Sequence, residues 1–299
     1  MKIGFAGLGV MGAPMARHLV KTGHDVAGFN RSPEKARAWA EAAGGRFAQT
    51  VAEAADGAEL FILCVGNDDD VRAVVEQALS ALADGAVIVD HTTTSAKVAR
   101  EMAERAGEGG RHFIDAPVSG GQAGAENGQL SVMAGGDAEA LECARPALEA
   151  YSKAIKHMGP SGAGQLTKMV NQICIAGVVQ GLAEAVHFAE QAGLDPTAVY
   201  DAVSKGAAQS WQMDNRWATM ARGEFDFGFA VDWMRKDLGL ALDEARYNGS
   251  HLALTAVVDQ FYSEVQAMGG SRWDTSSLAA RLQDRKRYPR TPCGRYGAA

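Results

Sequence analysis

Short apolar runs alternate with alanine-rich stretches of helical periodicity along the first half of the chain. The apolar runs lie at residues 3–6, 25–29, 60–65, 86–90, 112–115 and 131–134. Helical stretches separate them at residues 11–22, 33–43, 68–82, 95–107 and 137–150. Strands that alternate with helices need crossover connections, which make neighbouring strands parallel and cover both faces of the sheet. The pattern therefore predicts an α/β fold with a doubly wound parallel sheet.

The pattern changes after a glycine-rich break at residues 159–164. From about residue 165 to residue 192, apolar side chains recur at spacings of three and four, which is typical of one long helix. Gly193 ends this helix, and Asp195-Pro196 supplies a cap and a first-turn residue for the next one. The rest, to about residue 285, has helical periodicity only. We expect three parts: a sheet domain at 1–162, an interdomain helix at 163–192 and an all-helical domain at 193–299.

Composition and charge exclude several classes of protein. The 299 residues are 47% hydrophobic and 22% charged, as in globular domains and unlike collagen, coiled coils or disordered chains. The net charge of −7 disfavours binding to nucleic acid and to anionic membrane surfaces. One basic cluster lies near the C-terminus, where we expect a solvated tail: Arg281, Arg285, Lys286, Arg287, Arg290 and Arg295.

Cysteine spacing and the absence of targeting patterns bear on the compartment. The cysteines, Cys64, Cys143, Cys174 and Cys293, form no C-x-x-C pair, so neither a disulfide framework nor a metal site is expected. The N-terminus lacks the pattern of a secretion signal, and no run of 18 apolar residues predicts a membrane span. We therefore expect a cytoplasmic protein.

A glycine-rich string, Gly7-Leu8-Gly9-Val10-Met11-Gly12, follows the first predicted strand and opens the first predicted helix. In this context a G-x-G-x-x-G string indicates a dinucleotide-binding site. Gly7 would permit a tight turn, Gly9 would let the backbone approach a pyrophosphate, and Gly12 would let the helix pack closely on the strand. Free N–H groups at the helix start would hold the phosphates. A turn of purely structural use is the alternative.

Asn30-Arg31-Ser32 ends the second predicted strand, about 20 residues further on, where sites selective for NAD carry an acidic residue. No carboxylate is present there. Asn30 can hydrogen-bond a ribose hydroxyl, while Arg31 can pair with a 2′-phosphate and Ser32 can donate to it. These residues predict a preference for NADP, although NAD remains usable if Arg31 only stacks on the adenine.

Two more loops follow predicted strands at their carboxyl ends, where open α/β sheets bind ligands. Val65 and Gly66 follow the third long strand, and we expect them beside the cofactor. Thr93 follows the next strand, and we expect it to contact the ribose or nicotinamide end. Ser95 is either part of this site or only the cap of the next helix.

Ser119-Gly120-Gly121 follows the fifth predicted strand. Exposed N–H groups and a hydroxyl in such a loop can bind a small carboxylate, as backbone nests do for other anions. A simple turn is the equally weighted alternative.

Lys168, Asn171 and Gln172 lie near the start of the long predicted helix at positions i, i+3 and i+4, so they share one face. The neighbouring positions are apolar. A partly desolvated ammonium group there could serve as a general acid–base. Without the flanking Asn and Gln, a solvated surface lysine would be the favoured interpretation.

Several ordered motifs link these segments over nearly the whole chain. They are G-L-G-V-M-G-A-P-M-A at 7–16, D-A-P-V-S-G-G at 115–121, G-x-L-S-V-M-A-G-G-D at 128–137, G-A-G-Q-L-T-K-M-V-N-Q at 162–172 and R-K-D-L-G-L-A at 235–241. With them the chain resembles the β-hydroxyacid dehydrogenase family, which includes 3-hydroxyisobutyrate dehydrogenases and tartronate and succinic semialdehyde reductases. The resemblance implies a dinucleotide-binding Rossmann domain followed by an all-helical domain.

The resemblance also implies roles for individual residues. Lys168 would be the catalytic acid–base, and Ser119, Gly120 and Gly121 would hold the substrate carboxylate. Lys236 would close over the cofactor and substrate, with Asp237 beside it on the cofactor side. Asn171 would orient Lys168 and the substrate oxygen.

The substrate pocket is less defined by sequence. Many members have two asparagines where this chain has Asn171 and Gln172, and this pair resembles the tartronate semialdehyde reductase branch. Because glutamine reaches one methylene further, we expect a narrower pocket there. Trp211 resembles the aromatic wall of the family's pocket, although a buried core tryptophan is nearly as well supported.

The expected activity is hydride transfer between NADP, or NAD, and a small β-hydroxy acid or its semialdehyde, without a metal. An imine reductase of the same architecture and a non-catalytic dinucleotide-binding module are the alternatives. 6-Phosphogluconate dehydrogenases share the nucleotide domain, but the chain is too short for their helical part. The resemblance further implies a homodimer or homotetramer.

Overall fold

The computed structural model describes residues 1–283. The chain forms two compact units, Met1–Asn171 and Gln172–Ala299. Within the described residues, the first unit is built on a sheet and the second on helices.

Strands and helices alternate in the first unit, as the sequence pattern predicts. The strands are β1 (Lys2–Ala6), β2 (Asp25–Phe29), β3 (Arg46–Phe47), β4 (Leu60–Leu63), β5 (Val87–Asp90), β6 (His112–Asp115), β7 (Val118–Ser119), β8 (Leu130–Gly135) and β9 (Ser152–Gly159). The helices are α1 (Gly12–Lys21), α2 (Pro33–Ala43), α3 (Val51–Ala55), α4 (Asp68–Leu79), α5 (Ala96–Gly107), α6 (Gly121–Glu126) and α7 (Ala138–Leu148).

The strands form one mostly parallel sheet in the order β3-β2-β1-β4-β5-β6-β8-β7, with β9 paired to β8. The sheet is parallel as predicted except at one end, where β8 runs antiparallel to β6 and β7. The short connection from β6 doubles back through β7 and α6, so it cannot make the long crossover that a parallel pair requires. The strands β3, β7 and β9 were not predicted.

Two apolar clusters cover the two faces of this sheet. Strand β4 shows the arrangement, since Leu60 and Ile62 belong to one cluster while Phe61 and Leu63 belong to the other. Successive side chains of a strand point to opposite faces, so a strand buried on both sides reads as a continuous apolar run. This explains why β4 was predictable from sequence.

The long predicted helix is α8 (Ala163–Gln191), which begins in the first unit and ends in the second. It is followed by α9 (Pro196–Val203), α10 (Trp211–Arg222), α11 (Val231–Asn248), α12 (Ala253–Ala267), a 3₁₀ turn (Thr275–Ser277) and α13 (Leu278–Gln283). These helices of the second unit share one apolar core around Trp217, Met234 and Tyr262. The expected all-helical second part is therefore observed as far as residue 283.

Arg281 does not belong to a solvated tail, contrary to the sequence-based expectation. It lies in α13 and is 5% exposed. Its guanidinium carbon lies 3.7 Å from the ring centre of Phe261, and its Nη1 lies 3.8 Å from Oε2 of Glu264. The aliphatic stem of an arginine can be buried when its charge finds such partners. The other basic residues of the predicted tail lie outside the described residues.

Helix α8 is long and apolar enough to cross a membrane by length and composition alone. Core helices of water-soluble proteins pass the same test, so this property is weak evidence for a membrane span. In its most apolar stretch, 44% of the residues are buried within the protein.

A buried histidine follows β5 in the first unit. His91 is 2% exposed, its Nδ1 lies 2.6 Å from the carbonyl oxygen of Ala116, and its Nε2 lies 2.8 Å from the hydroxyl oxygen of Tyr151. Because a carbonyl only accepts, Nδ1 carries the proton and the Tyr151 hydroxyl donates to Nε2. Burial lowers the pKa of His91 from 6.5 to about 4, so the ring is neutral at pH 7.

This histidine predicts a loss of stability in mild acid. Between pH 7 and pH 5 the unfolded chain binds a proton at His91 and the folded chain does not, so stability falls as the pH falls. We expect the wild type to lose about 2 kcal/mol relative to His91→Gln over this interval. Urea unfolding of both proteins at each pH measures the difference. An unchanged difference would mean that the ring titrates normally in the folded protein.

Candidate active site

The glycine-rich loop lies between β1 and α1, and its glycines have three different surroundings. Gly7 has a φ of +97°, and a Cβ there would overlap the backbone carbonyl of Cys64. A Cβ on Gly12 would overlap the carbonyl oxygen of Gly7 and touch the Phe5 ring, so α1 packs directly on the strand end. A Cβ on Gly9 would meet no protein atom within 4 Å. Open space over Gly9 fits the close approach of a pyrophosphate at the start of a helix.

The other residues of this loop divide between the core and the surface. Leu8 is 4% exposed and packs in the core, with the partly buried Met11 against the same cluster. Val10 is 61% exposed. The loop therefore presents backbone and one apolar side chain outwards.

Asn30 ties the end of β2 to the glycine-rich loop. Its Oδ1 accepts a hydrogen bond from the Leu8 N–H at 3.0 Å, and its Nδ2 donates to the Ser32 carbonyl at 3.3 Å. Arg31 beside it has a side chain that is 90% exposed, and its Nη1 lies 3.5 Å from Oδ1 of Asp70. Ser32 precedes α2 and makes no side-chain cap bond. Arg31 and Ser32 thus extend an exposed cation and a hydroxyl from the strand end.

The ends of β4 and β5 are joined by side-chain hydrogen bonds. The Val65 N–H donates to Oγ1 of Thr92 at 3.0 Å, next to Gly66. Ser95 is the cap of α5, since its Oγ accepts from the Val98 N–H. Thr93 lies between Thr92 and Ser95 in the sequence. The loops predicted beside the cofactor therefore lie at the carboxyl edge of the sheet.

Ser119 ends the two-residue strand β7, and its backbone pairs with Ser131 of β8. Gly120 and Gly121 follow with φ values of +132° and +61°, conformations that favour glycine. A Cβ on Gly121 would meet no protein atom within 4 Å. The backbone at this turn is accessible, as a carboxylate-binding loop requires.

The start of α8 is held by Asp115, the last residue of β6. Asp115 is fully buried, and its two carboxylate oxygens accept from the Gly162 N–H at 2.7 Å and the Gln165 N–H at 2.9 Å. These are N–H groups that a helix start leaves without intrahelical partners. Burial raises the pKa of Asp115 to about 6, while the backbone N–H bonds act in the opposite direction. At pH 7 the group is mostly ionised and accepts both bonds.

Gln165 lies in the first turn of α8 and is fully buried. Its Nε2 donates to the Thr92 carbonyl at 2.7 Å, and its Oε1 accepts from the Thr94 N–H at 3.0 Å. Sequence reasoning did not select Asp115, Thr92 or Gln165 as site residues. Asp115 and Gln165 fall inside motifs that were singled out, which is the only signal that could have found them.

Lys168 and Asn171 lie on α8 one turn further along. Lys168 is 8% exposed, although a lysine is seldom so buried. Lys168, Asn171 and Gln172 all belong to this helix, at positions i, i+3 and i+4. Among the described residues, no group of three or more His, Cys, Asp or Glu side chains could hold a metal ion.

In the second unit, Gln172 is 2% exposed, and its Nε2 donates to Oδ2 of Asp237 at 2.6 Å. Nζ of Lys236 lies 3.3 Å from Oδ1 of the same carboxylate. Three predicted site residues are thus brought together on α8 and α11.

Trp211 opens α10 and is 58% exposed, so its interpretation as a core tryptophan is wrong. The guanidinium carbon of Arg216 lies 5.1 Å from the Trp211 ring centre. The Trp211 ring lies at the protein surface because position 211 is on the polar face of α10, opposite the buried Met213, Trp217 and Met220.

Two family models match this chain over consecutive stretches. A family model described as the NAD binding domain of 6-phosphogluconate dehydrogenase matches residues 2–159. One described as NAD-binding of NADP-dependent 3-hydroxyisobutyrate dehydrogenase matches residues 162–282. Both matches together span nearly all the described residues.

Relatives and solved structures match over almost their full length. An uncharacterised oxidoreductase of Shewanella frigidimarina is 62% identical, covering 94% of this chain and 98% of its own. The 2-hydroxy-3-oxopropionate reductase of Escherichia coli is 33% identical, covering 95% of this chain and 97% of its own. The structure of 3-hydroxyisobutyrate dehydrogenase from Mycobacterium tuberculosis with L-serine has a TM-score of 0.87 at 34% identity, covering 94% and 98% of the two chains.

The different surroundings of the loop glycines predict separable effects of substitution. Gly9→Ala should leave the melting temperature unchanged and weaken NADPH binding about tenfold or more, because the methyl group occupies the space over the backbone. Gly12→Ala should instead lower stability by about 1–3 kcal/mol through overpacking. Thermal unfolding and titration of NADPH fluorescence distinguish them. Equal NADPH affinity in Gly9→Ala and wild type would contradict a pyrophosphate at this position.

Proposed function

Because the chain belongs to the β-hydroxyacid dehydrogenase family, we propose that it interconverts a small β-hydroxy acid and its semialdehyde with Lys168 as general acid–base. The family supports an NAD(P)-dependent oxidoreductase. The observation that carries the finer proposal is the burial of Lys168 on a helix turn that Asp115 and Gln165 fix to the sheet edge. Lysines are seldom so buried, and a lysine beside a carboxyl edge of a parallel sheet is suited to act on a ligand bound there.

The nicotinamide coenzyme, when bound, supplies or accepts the hydride. In the reduction, the Lys168 ammonium donates a proton to the oxygen of the substrate carbonyl as charge develops there. Asn171, one turn further along α8, orients the amine and the substrate oxygen. The Ser119–Gly121 turn binds the carboxylate through its N–H groups and the Ser119 hydroxyl, which fixes the carbonyl carbon in place.

Tartronate semialdehyde, or 2-hydroxy-3-oxopropionate, is the preferred candidate substrate, with a 3-hydroxyisobutyrate-like acid next. The Asn171-Gln172 pair supports the first, as does the E. coli relative that is named for this reductase activity. Gln172, Trp211 and Lys236 are the proposed remaining substrate contacts. Lys236 and Asp237 are also proposed to contact the cofactor.

Removal of the amine tests the catalytic role. Lys168→Ala should lower turnover by at least about 100-fold, since a general acid–base contributes factors of this size, and should leave NADPH affinity near normal. Lys97→Ala, which removes an exposed lysine from α5, is the matched control. Oxidation of glycerate, 3-hydroxyisobutyrate, serine, 3-hydroxypropionate and 4-hydroxybutyrate is measured with each coenzyme. Full turnover by Lys168→Ala would overturn the role.

The alternatives make different predictions in the same assays. An imine reductase would reduce a cyclic imine faster than tartronate semialdehyde. A non-catalytic dinucleotide-binding module would bind NADPH and turn over none of these compounds. The buried lysine supports an enzyme over the second alternative.

NADP is the proposed preferred cofactor, with NAD also usable. The support is the exposed Arg31 guanidinium and the Ser32 hydroxyl, which makes no cap bond, directly after β2, where the sequence has Asn30 in place of an acidic residue. The side-chain oxygen of Asn30 already accepts a hydrogen bond from the Leu8 N–H. We therefore propose that Arg31 and Ser32 hold the 2′-phosphate. The description of the second family model names an NADP-dependent 3-hydroxyisobutyrate dehydrogenase.

Arg31→Ala should raise the KM for NADPH about 10- to 100-fold, the size of a lost charge-assisted hydrogen bond, and leave the KM for NADH nearly unchanged. Lys21→Ala removes a cation from the far end of α1 and serves as the control. Equal effects on both coenzymes would indicate that Arg31 only stacks on the adenine.

A homodimer or homotetramer in the cytoplasm is the proposed state of the protein. In the second unit, Val178 and Phe188 of α8 and Leu254 and Val257 of α12 are apolar and at least 39% exposed. A second copy is the simplest partner to cover such exposed apolar side chains. Light scattering should give at least twice the 31.4 kDa chain mass, and Phe188→Glu should lower it. A monomeric wild type would contradict the assembly.

A further inference from the structure

The geometry points to Gln165 as a positioning residue for Lys168. Its side-chain amide joins the segment after β5 to the first turn of α8, and so fixes the lysine three residues further along. The inference rests on the proposed function, since it adds a residue that acts through the acid–base.

The hydrogen bonds of Gln165 use both halves of its amide. Nε2 donates to the Thr92 carbonyl at 2.7 Å, and Oε1 accepts from the Thr94 N–H at 3.0 Å. The backbone N–H of Gln165 also donates to Asp115 at 2.9 Å. The side chain is fully buried, so water does not replace these bonds without a cost.

The connection continues from Gln165 towards the nucleotide loops. The carbonyl of Thr92 bonds Gln165, and the hydroxyl of Thr92 accepts a hydrogen bond from the Val65 N–H. Val65 and Thr93 are proposed cofactor contacts. The Gln165 amide therefore holds two segments in a fixed relative position. One is the loop after β5, beside the proposed cofactor contacts, and the other is the helix turn that leads to Lys168.

Close packing at the helix start leaves little freedom to compensate. A Cβ on Gly164 would overlap the backbone of Met133 and Asp115, so α8 lies directly on the strand ends. Lys168 follows Gln165 at i+3, on the same side of a rigid helix. A displacement of the first turn is therefore carried to the amine, and a shift of about 1 Å can cost about 100-fold in rate.

A glutamate at this position gives a test that depends on pH. A protonated carboxyl can donate to the Thr92 carbonyl and accept from the Thr94 N–H, whereas an ionised one directs negative charge at that carbonyl. Burial raises the pKa of such a carboxyl. We expect the kcat of Gln165→Glu, divided by that of the wild type at the same pH, to rise at least about tenfold from pH 8 to pH 5.5.

Two further variants separate hydrogen bonding from packing. Gln165→Met keeps the length of the side chain but loses both bonds, and its kcat should fall about 10- to 100-fold at every pH. Gln77→Glu is the control, because the exposed Gln77 amide of α4 also bonds a backbone carbonyl, that of Ala73. Its activity relative to wild type should not depend on pH. Full activity of Gln165→Met would reduce the role of Gln165 to filling space and overturn the inference.

A second measurement reads the position of the amine without any substrate. Acetylation of Lys168 by acetic anhydride is followed by mass spectrometry, with Lys97 as the internal reference. In Gln165→Met the rate at Lys168 should rise severalfold, because the released turn exposes the amine, and the rate at Lys97 should not change.

The two readouts distinguish failure of this inference from failure of the proposed function. An unchanged labelling rate at Lys168 in Gln165→Met overturns the inference, whatever the kinetics. If the wild type is active, a kcat ratio of Gln165→Glu to wild type that does not rise in acid also overturns the inference about Gln165. In that case, loss of turnover in Lys168→Ala still supports the proposed function. If wild type acts on no semialdehyde or hydroxy acid, the proposed function fails and the labelling alone decides whether Gln165 positions the lysine.

Discussion

A buried carboxylate holds the start of the longest helix against the sheet. Asp115 accepts hydrogen bonds from two N–H groups at the start of α8 that have no partner within the helix. Gly135 and Gly164 have no side chain, so the strand ends and the helix start can lie in direct contact. An ionised group in such a place is stable only because its oxygens are hydrogen-bonded. The position of Lys168 follows from this contact, because the helix is rigid over the single turn that separates them. The proposed acid–base is thus held in place by a residue outside the proposed site.

The glycine-rich loop imposes a constraint of a different kind. Gly7 and Gly12 lack side chains because the protein backbone fills the space, while Gly9 lacks one where no protein atom lies. Only the last leaves room for a ligand. The distinction separates the glycines that the fold requires from the one that dinucleotide binding requires, although all three belong to one motif.

Sequence reasoning succeeded where burial produces a simple pattern. The apolar run of β4 and the periodicity of α8 predicted both elements, because β4 is buried throughout and α8 buries residues at helical spacing. It missed β9, whose polar residues, such as Lys153 and Lys156, make a largely exposed strand, and β3 and β7, which have two residues each. Arg281 was misplaced because its partners, Phe261 and Glu264, come from another helix. The same reason hid the contacts of Asp115 and Gln165, whose partners lie about 50 and 70 residues away along the chain.

A crystal structure with NADP⁺ and a β-hydroxy acid would show directly whether Lys168 is the acid–base. The quantity to measure is the distance from Nζ of Lys168 to the hydroxyl oxygen of the acid. We expect a hydrogen bond of about 3 Å, with the acid carboxylate on the Ser119–Gly121 turn. An amine in bulk solvent, or a hydroxyl met by another proton donor, would contradict it.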